Sequence, residues 1–201
     1  PAWNVPRSIM IKDILPQVIK DPAYLEEHSM VLLSGWGPEA REVDPQSIDW
    51  DSVQPHSFPY RLRQNPGPDN ALGRIKFMFP NPFAVYLHDT PNKDLFDQVS
   101  RDFSSGCIRV EHPIPLALAL LQPEDGWDAD AVDKALQSGR THQIRLARPV
   151  PVHLLYWTAW VDAEGEINFR EDIYNRDGKL EAALKNSFPP LEAEASPDRS
   201  Q

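Results

Sequence analysis

Proline limits this chain more than any other residue: 21 of its 201 positions are proline, about twice the usual share of roughly 5%. The ring fixes φ and removes a backbone donor, so crowded prolines exclude long helices and central strands. They crowd most between 38 and 72, at Pro38, Pro45, Pro55, Pro59, Pro66 and Pro68, joined there by Asn65, Gly67 and Asn70. More than about 15 residues of that kind inside a compact domain indicates a functional insertion such as a lid. Trp50, Phe58, Tyr60 and Leu62 give it apolar anchors that a disordered tract lacks.

On either side the pattern is more regular. Ser8 is expected to cap a helix through Leu15, Pro16 to open a turn to Lys20, and Asp21-Pro22 to start a helix through Glu27. Residues 30–33 read as a strand. The alternation of Ile75, Phe77 and Phe79 predicts a half-buried strand, 84–88 a second, and 107–111 a third. Residues 113–121 are apolar all round and predict a buried helix. Asp128 is expected to cap a helix that Gly139 stops, and 152–161 to pair with 166–170 across a turn at 163–165. Residues 189–201 read as a disordered tail. Strands with helices between them, without βαβ alternation, make the fold class mainly β or α+β.

Composition narrows the function. A formal net charge of −10, with no cluster of Lys and Arg, argues against a nucleic-acid partner. No stretch approaches the ~20 apolar residues that span a bilayer. The start at Pro1 is that of a processed or excised piece, which leaves a membrane anchor possible only upstream. No pair of histidines has metal-ligand spacing with a second Cys or His, so neither metal nor cofactor is expected.

One cysteine cannot form an internal disulfide. Cys107 follows Ser104, Ser105 and Gly106. A glycine there permits a sharp turn, and the backbone N–H groups of Gly106 and Cys107 suit an oxyanion hole. Cys107 is either a nucleophile or a small packed core residue. His88 ends a β-rich run upstream and is either the base that makes the thiolate or a surface histidine. Asp89 can orient the ring by its carbonyl or carboxylate. Arg109 shares a strand face with Cys107 and either lowers the thiol pKa, binds a substrate carboxylate or makes a structural ion pair. Trp36, between two glycines, is a stacking wall or a core anchor. Tyr156 and Trp160 share one face and Trp157 takes the other, with core packing expected for at least one of them.

The runs Tyr86-Leu87-His88-Asp89-Thr90-Pro91 and Phe103-Ser104-Ser105-Gly106-Cys107-Ile108-Arg109-Val110 together resemble the L,D-transpeptidase (YkuD-type) catalytic domain, and within it the large Gram-negative subgroup. Trp3-Asn4-Val5-Pro6, Asp13-Ile14-Leu15-Pro16, Pro66-Gly67-Pro68, Leu72-Gly73-Arg74-Ile75-Lys76-Phe77 and Asp172-Ile173-Tyr174 extend the resemblance over most of residues 1–175. It implies a β-sandwich-like catalytic core at 73–188 and, at 1–72, a helical, loop-rich capping subdomain with the end of the preceding core segment, the N-terminal core strands being absent from this chain. It implies Cys107 as nucleophile, His88 as general base and acid, the Asp89 carbonyl as its orienting group, and Gly106 in the oxyanion hole. Arg109, Ser105, Tyr86 and Trp36 become substrate contacts. Most of the wider family has His-Gly-Cys where this chain has Ser105-Gly106-Cys107; the serine is a mark of the subgroup.

The activity implied is acyl transfer between peptidoglycan stem peptides in the periplasm. D-Ala is released, third residues are cross-linked, and carbapenems act as inhibitors. The alternatives are an L,D-carboxypeptidase that uses water as acceptor, and a non-catalytic peptidoglycan-binding fragment.

Overall fold

Pro6 and Pro16 bracket the first helical run. The computed structural model, which describes residues 1–35, 37–102, 106–122 and 124–187, carries that run from residue 7 to residue 20. It consists of α1 (Arg7–Ile9), a π-helical turn (Met10–Ile14) and α2 (Leu15–Lys20). Ser8 is not the cap. Pro6, held at φ −57°, precedes the first turn, so Ser8 falls inside the helix. Pro16 does open a turn that ends at Lys20, as expected, and the helical run continues across it. The Leu15 N–H reaches five residues back to Met10 O, and this wider turn absorbs the donor that Pro16 lacks. Asp21 Oδ1 accepts from Ala23 N at 3.0 Å just ahead of α3 (Tyr24–Glu27).

The chain divides into two compact units, Pro1–Val150 and Pro151–Gln201. In the first, β1 (Trp3–Asn4), β2 (Met30–Ser34), β3 (Arg41–Val43) and β4 (Arg61–Gln64) form an antiparallel sheet of order β1-β4-β2-β3. Leu32 stands opposite both Leu62 and Val43, which sets the register. Two of these strands come from the proline-rich stretch. Its elements are short, as the prolines demand, but they are built into the sheet. Pro45 and Pro55 each open a 3-10 turn.

The anchors behave as expected. Phe58 and Leu62 enter a core with Met10, Leu15, Val18, Leu25 and Leu32, while Trp50 and Tyr60 pack at its edge. Burial of each such large side chain stabilises by about 1.5–3 kcal/mol.

A buried amide pair leads from this layer to the next. Gln64 Nε2 donates to His28 O and Asp69 O, both at 3.1 Å, and Gln64 Oε1 accepts from Ala71 N at 2.9 Å. Asn70, 1% exposed, donates to Asn65 O at 2.9 Å and accepts from Leu72 N at 2.8 Å. These bonds satisfy a loop that has no ladder of its own, and deliver Gly73 to a fixed position.

There the chain enters a second sheet of order β5-β6-β7, made of β5 (Lys76–Phe77), β6 (Leu87–His88) and β7 (Ile108–Arg109). All three are shorter than their β-rich sequences predict. Between β5 and β6 the Asn81 side chain explains the loss. Its amide donates to Phe79 O and Val85 O, and its carbonyl accepts from Phe83 N and Val85 N, so these groups make a turn rather than a ladder.

α4 (Pro113–Leu121) forms where predicted but is not buried all round: Pro113, Ala117 and Leu121 line its one buried face. α5 (Ala129–Gln137) has its expected cap, with Asp128 Oδ1 accepting from Ala131 N at 2.8 Å. Gly139, at φ +66°, follows its end.

In the second unit β8 (Ala159–Val161) and β9 (Ile167–Phe169) form the expected hairpin, with Asp162 Oδ1 accepting from Glu166 N at 2.8 Å in the turn. Residues 152–158 do not join the strand. Tyr156 lies outside the strand, and both it and Trp160 approach one cation. The Arg170 guanidinium sits 5.7 Å from the Tyr156 ring and 4.4 Å from that of Trp160. Trp157 is 62% exposed, so the expected core packing is not met there. α6 (Asp177–Ser187) closes the described chain. Among the described residues no helix is long and apolar enough to cross a membrane. The tail at 189–201 lies outside the described residues.

Candidate active site

Three short strands set the site. β6 runs antiparallel to β5 and parallel to β7, with Lys76 opposite His88 and His88 opposite Arg109. Cross-strand partners project to one face of a sheet. Lys76, His88 and Arg109 therefore form one row, and Phe77, Leu87 and Ile108 project to the other side. Ile108 N donates to Tyr86 O at 3.0 Å, which brings Cys107 level with Tyr86 and onto the face of His88.

The site's contacts follow from that row. Tyr86 and His88, two residues apart on β6, meet edge to face at 5.8 Å between ring centroids. Tyr86 neighbours Cys107; burial first, and then this neighbour, push the phenol well above its ordinary range. The Lys76 ammonium lies over the Tyr86 ring, 3.7 Å from its centroid.

His88 is 6% exposed, and its Nδ1–H donates to the backbone carbonyl of Asp89. A carbonyl can only accept, so the neutral ring carries its proton on Nδ1 and keeps the lone pair at Nε2. Burial holds the imidazole below its ordinary pKa. The carbonyl bond and the Asp89 charge oppose this, while Arg109 and Lys76 reinforce it. The ring is thus held as a neutral base near pH 7.

Asp89 uses its carboxylate elsewhere. Oδ2 accepts from Arg74 N at 2.8 Å, and Oδ1 from Thr90 N and Lys93 Nζ, each at 2.8 Å. Burial pushes this carboxyl up, but the three donors outweigh it and hold it below 3.8. Lys93 goes on to donate to Val110 O at 3.2 Å and Glu111 O at 2.7 Å, just past β7. One carboxylate and one ammonium therefore join the start of β5 to the ends of β6 and β7. Gly73 permits this: at φ +56°, an added Cβ would lie 2.6 Å from Asp89 Cβ.

Gly106 adopts φ +125°, a conformation that favours glycine, with open space where a side chain would project. Cys107 is half-buried. The structure thus gathers Tyr86, His88, Gly106, Cys107 and Arg109 at one sheet face, with Asp89 beneath. Ser105 and Trp36 lie outside the described residues.

Sequence reasoning missed Lys76, Gly73 and Lys93. The signal for Lys76 was its place between Ile75 and Phe77, on the face opposite the apolar alternation. Lys93 stood four residues after Asp89. A cavity of ≈ 510 Å³ lined by Leu118, Gln122, Asp125 and Trp127 holds none of these groups. Among the described residues no three His, Cys, Asp or Glu side chains gather to hold a metal ion.

The family model of the YkuD L,D-transpeptidase catalytic domain matches residues 1–129, which contain every one of these groups. The chain belongs to the YkuD L,D-transpeptidase family. Its mixed helix and sheet content agrees with that domain, and the family acts on peptidoglycan. A Haemophilus influenzae protein named "Putative L,D-transpeptidase" is 42% identical over 186 residues, 92% of this chain. The chain spans 37% of that relative's length.

Proposed function

We propose that this chain carries out cysteine acyl transfer between peptidoglycan stem peptides. The observation that supports it is one sheet face holding Cys107 against Tyr86, with His88 two residues along β6 and its Nδ1 on the Asp89 carbonyl. His88 Nε2 takes the thiol proton. The sulfur then attacks the carbonyl between the third stem residue and the terminal D-Ala. The oxyanion meets the N–H groups of Gly106 and Cys107. The C–N bond breaks, His88 returns the proton to the departing D-Ala amine, and a thioester remains on Cys107. The side-chain amine of a neighbouring third residue attacks that thioester, forming the cross-link and releasing the thiol.

Residues 1–72 act as the substrate cap, with Trp36 and Ser105 among the stem contacts. The reaction belongs to the periplasm, where the stems are. Carbapenems, as strained acyl donors, acylate Cys107 in place of the stem.

Incubation with a disaccharide-tetrapeptide tests the reading. Cross-linked dimer with free D-Ala supports it. Tripeptide alone means that water is the acceptor. Binding to sacculi with neither product would make the chain a non-catalytic binding fragment.

A further inference from the structure

The row across the second sheet places two cations on either side of His88, Lys76 on β5 and Arg109 on β7. This is notable in a chain of net charge −10. Among the described residues Lys93, Arg63 and Lys185 each form an ion pair. Among the described residues neither Lys76 nor Arg109 is ion-paired with a carboxylate. Lys76 is half-buried, and burial lowers its pKa, with the neighbouring Cys107 opposing. A half-buried ammonium beside the thiol regains part of its lost hydration when an anion binds it.

The Tyr86 ring beneath it at 3.7 Å holds the ammonium in place. A cation on an aromatic face is attracted by the ring quadrupole yet keeps N–H donors directed away from the ring. Tyr86 also touches Cys107, so a group bound by Lys76 lies beside the carbon that the sulfur attacks.

We propose that Lys76 is the specificity-determining residue of this site, and that it binds the free carboxylate of the departing C-terminal D-amino acid. The inference rests on the acyl-transfer reading and names what that site recognises. The substrate class is a peptide ending in an unblocked carboxylate immediately after the scissile bond. Lys76 draws that carboxylate to the β5 side of His88, so the departing amine faces Nε2. Arg109, on the β7 side, remains for an acidic group elsewhere on the stem.

The test measures binding rather than turnover, on the full chain carrying Cys107→Ala, by calorimetry with a stem tetrapeptide and with its C-terminal amide. The acid is expected to bind about 10–100-fold more tightly than the amide, the range for one charge-assisted contact. Adding Lys76→Met should remove most of that preference by weakening the acid alone. Adding Lys76→Arg, which keeps the charge, should retain it. Equal affinity for acid and amide with Lys76 present overturns the proposal. So does an equal loss on both peptides in Lys76→Met, because Lys76 would then be supporting Tyr86 or reading another carboxylate. Failure of the functional reading looks different: the wild-type chain, incubated with the tetrapeptide, takes up no acyl group on Cys107, whatever the binding preference.

Discussion

His88 donates its Nδ1 proton to the backbone carbonyl of Asp89, the residue next to it. That bond keeps the lone pair of the neutral ring at Nε2 and leaves the Asp89 carboxylate for another task. The imidazole is oriented by the main chain, and the strands that carry it are clamped by the Asp89 side chain. Two consequences are separable by mutation.

The first concerns pH. His88 must be neutral to accept the thiol proton, and burial holds its pKa below the ordinary 6.5. The acid limb of the acylation rate is therefore expected to have its inflection below pH 6.5. Stopped-flow acylation by a chromogenic β-lactam across pH 4.5–8 measures it, on the order of one decade of rate per pH unit on the falling side. An inflection above 6.5 would show that the ring is stabilised as the cation.

The second concerns the clamp. Asp89→Asn preserves the backbone carbonyl but loses the ion pair to Lys93 and turns an amide group toward backbone donors. A loss of about 1–3 kcal/mol is expected at pH 7. The folded pKa is depressed, so this stabilisation is present above 3.8 and is lost as pH falls through the folded value. Urea unfolding of the two proteins should thus diverge at pH 7 and converge in acid. A constant gap at every pH would assign the effect to packing.

Gly73→Ala tests the close approach beneath the clamp. The new Cβ meets the Asp89 side chain, and φ +56° is strained for alanine. The expected cost is about 1–3 kcal/mol, seen as a lower denaturation midpoint. Gly67→Ala, where a Cβ meets nothing within 4 Å, is the control and should be nearly neutral. Equal stability of the two variants would remove Gly73 from the account.

Local chemistry was readable from the chain, and long-range pairing was not. Asp128 as a cap, Gly139 as a stop and the hairpin turn at 163–165 each depend on residues within one turn of each other. Cys107, His88 and Asp89 stood out because they carry their chemistry in their side chains and sit in two recognisable runs. Lys76 and Gly73 did not. Their roles appear only when β5 pairs with β6, which brings Lys76 to His88 and Gly73 to Asp89. The stretch from 38 to 72 read as irregular because its strands are three and four residues long, too short for alternation to register. Its order comes from Gln64 and Asn70, whose amides bond to backbone groups that no periodicity marks. Tyr156 and Trp160 both approach Arg170, a partner ten or more residues away in sequence.

The central claim, that Cys107 is the nucleophile of this sheet face, is tested most directly by intact mass after incubation with a carbapenem. The wild-type chain should gain the mass of one carbapenem, mapped to the peptide containing Cys107, and Cys107→Ala should gain none. An adduct that persists on Cys107→Ala, or maps to another residue, would contradict the account.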